Sequence, residues 1–184
     1  MPRLRYGVAL VVVVDFLVAV VQMQQAVIER ASFQKPAVTT YGQFAVTLTA
    51  KTKDDLDLYV RDPRGHIAWF HGLQAGGLSL EHDMIPGASD PAKAGVHELT
   101  MVRESIPGEY IVNVVDYNGD ASATATVQLW DLRGWSKRRL LTRRLTLHSS
   151  GEQRTAFRWR LNASGKFAGH NQLPADLLRD LGQT

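Results

Sequence analysis

Cysteine is absent from the 184 residues. That excludes a disulfide framework and any thiolate-bound metal. It leaves the compartment open, since many periplasmic proteins also lack disulfides. Charge of one sign is scarce as well: 21 Lys and Arg against 18 Asp and Glu leave a formal net charge of +3. Catalytic signatures are missing too. There is no H-E-x-x-H, no G-x-S-x-G and no P-loop. His66, His71, His82, His97, His148 and His170 are scattered along the chain, and Glu81-His82-Asp83 is their only cluster. A solvated strand face accounts for that cluster, so no enzyme is expected.

What the chain does have is one long apolar run, GVALVVVVDFLVAVVQMQQAVI, ending at Ile28. As a helix it would be about 33 Å long at ~1.5 Å per residue, enough for a hydrocarbon core of ~30 Å. Arg3 and Arg5 precede it, which places the N-terminus in the cytoplasm and the rest of the chain outside. A cleaved signal peptide is the competing reading. Asp15 interrupts its h-region, however, and no A-x-A site follows. With the remainder outside the cytoplasm, nucleic acid is not an expected partner.

Asp15 is the costly residue of the run. A carboxylate near mid-membrane costs on the order of 3 kcal/mol on insertion scales. On a helix, Ala19, Gln22, Ala26 and Glu29 stack on its face. Val12, Val13, Phe16, Val20 and Met23 occupy the opposite faces. Small and polar residues mark helix–helix interfaces in membranes. Asp15, with Ala19, Gln22 and Ala26, is therefore expected to face another protein helix or a water-filled cavity.

This segment resembles the ion-channel helix of the stator B-subunit family, which includes MotB, ExbD and TolR. Those proteins carry a short cytoplasmic N-terminus, one membrane helix with an essential Asp, and a periplasmic domain. The resemblance implies that Asp15 is the proton carrier, with Phe16 and Leu17 following it. It implies a polytopic MotA/TolQ/ExbB-like partner, a homodimer, and a place in the bacterial inner membrane. Two departures stand out. Gln22, Gln24 and Gln25 make the outer half polar, and no OmpA-like peptidoglycan-binding pattern follows. The alternative is a passive anchor carrying an extracytoplasmic binding module for a cell-envelope ligand.

The remaining chain reads as a linker at 29–42, stopped by Pro36, a β domain at 43–162 and a tail at 163–184. FAVTLTA (44–50) alternates, and DLDLYVRD (55–62) alternates strictly. Leu56, Leu58 and Val60 share one face; Asp55, Asp57, Tyr59 and Arg61 share the other. With the segments after them these make about nine strands at short spacing with no intervening helix. Turns fall at Asp62–Gly65, Pro107-Gly108, Asn118–Asp120, Arg133-Gly134 and Ser150-Gly151. The fold class is mainly β: one N-terminal transmembrane helix, then an antiparallel β-sandwich of jelly-roll or immunoglobulin-like kind.

The run Asp55 to Gly65 is similar to the hallmark of a bacterial β-sandwich family, DLDL-x-V-x-DP-x-G. Gly76-Gly77-Leu78-Ser79-Leu80-Glu81 and Gly108-Glu109-Tyr110-Ile111-Val112-Asn113-Val114 fit its later strands. The pre-peptidase C-terminal domains share this look. The resemblance implies a fold and leaves function open.

Asp55, Asp57, Asp62, Glu81 and Asp83 would suit calcium if strands 55–62 and 78–84 are neighbours. The other reading makes Asp55 and Asp57 the solvent face of an edge strand and Asp62 the cap of its turn. Trp135 to Arg144 is the most basic stretch. It reads either as charges that blunt a sheet edge or as a contact for anionic head groups or wall polymer. In the tail, 163–172 reads as loose, and Leu173, Leu177 and Leu181 fall at helical spacing.

Overall fold

Alternation builds the sandwich. In ATATVQLWD the residues Ala123, Ala125, Val127, Leu129 and Asp131 are buried while those between them are exposed or half-buried. This is the period-2 pattern of a strand with one face in a core. The computed structural model describes residues 42–82, 95–119 and 122–183. Its strands are β1 (Phe44–Ala50), β2 (Asp55–Arg61), β3 (Ile67–Ala68), β4 (Gln74–Ala75), β5 (Leu78–His82) and β6 (Val96–Val102). They continue with β7 (Gly108–Asn118), β8 (Ala123–Asp131), β9 (Arg138–Leu147), β10 (Gln153–Leu161) and β11 (Phe167–Asn171). A single-turn helix, α1 (Leu177–Asp180), follows.

The strands form two sheets, ordered β4-β5-β6-β1-β8-β9 and β11-β10-β7-β2-β3. Every pairing is antiparallel. The sheets pack face to face. Phe44, Val46 and Leu48 from β1 share one core with Leu56, Leu58 and Val60 from β2 and with Val112, Val114, Phe157 and Trp159. Burying each such side chain is worth about 1.5–3 kcal/mol.

Trp159 stacks on Tyr110 with ring centroids 4.5 Å apart and planes inclined by 10°. Tyr110 also ties down the turn before its own strand. Its hydroxyl accepts the Ile106 N–H at 2.9 Å and lies 3.1 and 3.2 Å from the carbonyls of Ile106 and Glu104. Glu98 is an acidic residue among the core-facing positions of β6. It is 2 % exposed, and its Oε2 accepts the Leu58 N–H at 2.6 Å. The short β3 pairs only with Val60 and Arg61. The Glu98 carboxylate therefore serves a backbone donor of β2 beyond the end of β3.

Two expectations are corrected here. The second face of β2 is not a solvent face: Asp57 and Tyr59 are buried. Tyr59 joins Ile67, Ile111, Val115 and Leu177 in a second apolar cluster on the outer side of its sheet. The cover is the C-terminal tail. Arg158 donates to the carbonyls of Leu173 at 2.8 Å and Pro174 at 2.5 Å. Asn113 donates to the Ala175 carbonyl at 2.9 Å, and Gln153 Oε1 accepts the Leu177 N–H at 2.8 Å. Asp176 caps α1 by accepting the Arg179 N–H at 3.0 Å.

The second correction concerns 163–172. Asn162 Oδ1 accepts the N–H groups of Ser164 at 3.0 Å and Lys166 at 2.9 Å. The tight turn this makes returns the chain as β11 against β10, so the sandwich extends to Asn171. Leu173 lies outside α1 and is exposed, because the residue before Pro174 disfavours helical backbone.

Candidate functional site

The proposed carrier Asp15 and its face, Ala19, Gln22 and Ala26, lie outside the described residues, as does Asp83. So does the expected membrane helix. Among the described residues no helix is long and apolar enough to cross a membrane.

Four acidic candidates are described, and they are dispersed. A strand rises about 3.3 Å per residue, so Asp55 and Asp62, at opposite ends of β2, stand roughly 20 Å apart along it and cannot share one ion. Asp62 is 1 % exposed and fully engaged in its turn. Its Oδ1 accepts the N–H groups of Arg64 at 2.8 Å and His66 at 2.9 Å, and its Oδ2 meets His66 Nδ1 at 2.9 Å. Gly76, at φ +58°, lets the β4–β5 turn approach this pair; a Cβ there would stand 2.9 Å from Asp62 Oδ2. Glu81 lies in the other sheet, at a bulge in the β5–β6 pairing. Its carboxyl is held below the usual range by hydrogen bonds from Ser79 and Arg103. Asp57 is buried beside Tyr59, and burial together with the Asp57 charge pushes the Tyr59 hydroxyl upward. Among the described residues, no three His, Asp or Glu side chains are gathered as metal ligands.

A different acidic group stands where β2 begins and β7 ends. Asp116 is 0 % exposed, and neither carboxylate oxygen has a donor among the described residues. Its backbone is fixed on both sides, donating to the Glu152 carbonyl at 3.0 Å and accepting from Gly151 at 2.7 Å. A bulge at Tyr117 lets Asp55 pair with Asn118 and Leu56 with Asp116. Asp54, just before β2, is also buried, and its Oδ2 lacks a donor among the described residues. Gly119 packs on the Asp116 carboxylate so closely that a Cβ would fall 2.6 Å from both oxygens.

Burial first, then the charges of Asp54, Glu152 and Asp55, push the Asp116 carboxyl up to about 6. Glu152 is itself bound by Arg154 and by the His148 N–H. The folded chain thus holds this proton more tightly than the unfolded chain, whose value is about 3.9. The associated stability is full below about pH 4 and is lost as pH rises through about 6, a change of roughly 3 kcal/mol. Thermal unfolding in chelator-treated buffer should show the wild type losing stability relative to Asp116→Asn between pH 4 and 7. Parallel profiles would reject this assignment.

Two surfaces complete the described candidates. The edge strand β9 carries Arg138, Arg139, Arg143 and Arg144. Beside it, Arg133 holds the Asp131 carboxyl down to about 2 through hydrogen bonds. Trp135, next to Gly134 in the β8–β9 turn, is fully exposed. The other surface is an aromatic shelf. Tyr59 stacks on Trp69 at 5.7 Å, Trp69 meets Phe70 at 4.9 Å, and Phe70 meets the exposed Tyr117 at 5.4 Å. No family model matches the chain, and no curated protein matches it.

Proposed function

We propose that the chain is a single-pass B-type subunit of a proton-driven membrane motor or channel. Asp15 carries the proton inside a polytopic MotA/TolQ/ExbB-like partner, and the β-sandwich faces the envelope from the inner membrane, in a dimer. The carrying observation is one carboxylate within an otherwise uncharged apolar run, on a face that also holds Ala19, Gln22 and Ala26. Protonation from one side and release to the other would switch the charge of the helix and its preferred seat against the partner. The pairings β1–β6 and β2–β7, with the Tyr110 hydroxyl anchoring the turn before β7, support an immunoglobulin-type sandwich as the outer part.

The test is purification of the full chain from its own membranes in mild detergent, with co-purifying proteins identified and counted. A polytopic partner in excess is expected. Proton uptake by vesicles holding that complex should fall to background in Asp15→Asn while the variant still inserts. Unchanged uptake would sink the reading. The second reading, a passive anchor presenting a binding module, is favoured by the aromatic shelf of Phe70 and Tyr117. On that reading Asp15→Leu would insert better and leave the protein's activity intact.

A further inference from the structure

We propose that the acidic end of the Asp116 sheet is a calcium site, with the Asp116 and Asp54 carboxylates as its side-chain ligands. A carboxylate removed from water must find donors, a proton or a cation. Asp116 is fully buried, and both of its oxygens lack donors among the described residues; Asp54 Oδ2 is in the same position. These carboxylates come from separate segments: Leu56 of β2 pairs with Asp116, and Asp54, just before β2, lies near enough for its charge to act on Asp116. Nearby charge compounds the cost, for Asp55 and Glu152 add negative field at Asp116.

The fixed backbone also bears on the ion. Both hydrogen bonds of the Asp116 main chain go to the β9–β10 turn, which locks the carboxylate root in place. Gly119 brings its backbone against the two oxygens, at a position where any side chain would clash with them. A hard divalent cation satisfies oxygens that have no donor. Calcium suits them better than magnesium, because it accepts irregular oxygen ligands at 2.3–2.6 Å, whereas magnesium needs near-octahedral geometry and keeps its waters. Two carboxylates rather than a closed cage imply modest affinity, on the order of 10⁻⁴–10⁻³ M, the range of extracellular modules. This site is distinct from the dispersed set Asp55, Asp57, Asp62 and Glu81, and it does not depend on the role of Asp15.

The test uses the full chain in mild detergent at pH 7.5, stripped of divalent ions and titrated with calcium chloride. The thermal midpoint should rise saturably over the millimolar range. Magnesium chloride should give a much smaller rise, and sodium chloride of equal ionic strength none. Asp116→Asn should fold and lose the calcium response. Asp54→Asn should shift the titration to higher calcium. The proposal is overturned if the wild type does not respond, if sodium or magnesium reproduces the response, or if both variants keep it unchanged. Should Asp116→Asn fail to fold, a wild-type titration curve retained in Asp54→Asn overturns it.

Discussion

Leu177→Ala should destabilise the folded domain by about 3 kcal/mol, within the ~2–5 kcal/mol range for emptying a buried leucine site. The size of the effect follows from where Leu177 sits. It is 0 % exposed although it belongs to a single-turn helix near the end of the chain. A helix of that length has no stability of its own. Leu177 is thus held by Tyr59, Ile111 and Val115 beneath it and by the polar ties of Asn113, Gln153 and Arg158. Ending the chain after Asn171 should cost more, because it uncovers those apolar side chains and leaves Asn113 without its carbonyl partner. Urea titration should show a lower midpoint for Leu177→Ala, and the truncated chain should bind a hydrophobic dye. A truncated chain as stable as the whole one would mean that the tail is not a structural cover.

Trp159→Ala should cost about 4 kcal/mol, near the middle of the range for removing a large buried aromatic. For a domain of this size that lowers the thermal midpoint by roughly 10–15 °C. Trp159 is one of the largest fully buried side chains, and it packs against both Tyr110 and Phe157. Its loss opens a cavity between the sheets. It also removes the stacked partner that fixes the Tyr110 ring, and with it the hydroxyl that holds Ile106. A double-mutant cycle with Tyr110→Phe should therefore be non-additive. A loss below about 2 kcal/mol would show that the core collapses around the gap instead.

The strands were legible wherever one face is polar. ATATVQLWD and FAVTLTA announce their faces by alternation, and the Asp62 turn follows from D-P-R-G. The second face of β2 was misread because Asp57, Tyr59 and Arg61 look polar by residue type. Part of the cover of Tyr59 and Arg61 comes from more than a hundred residues downstream, through Leu177 and the Arg61–Asp180 ion pair at 2.5 Å. β11 was missed because the Asn162 turn and the short segment after it carry no strong alternation. The Asp54–Asp116 pair was hidden for a topological reason. Its members are far apart in sequence and meet only because β2 pairs with β7. The acidic set chosen from sequence joined residues at opposite ends of one strand and on two sheets.

The edges of the two sheets are unequal. β3 and β4 are two residues each, β11 is five, and β9 is ten with four arginines. A sheet lengthens only at an edge long enough to accept a new strand, and β9 is the one of that length among the described residues. A second copy arriving there in antiparallel register would set guanidinium groups against guanidinium groups. Like charges opposed across a ladder repel, so the longest edge is the one least suited to lateral pairing with a copy of itself.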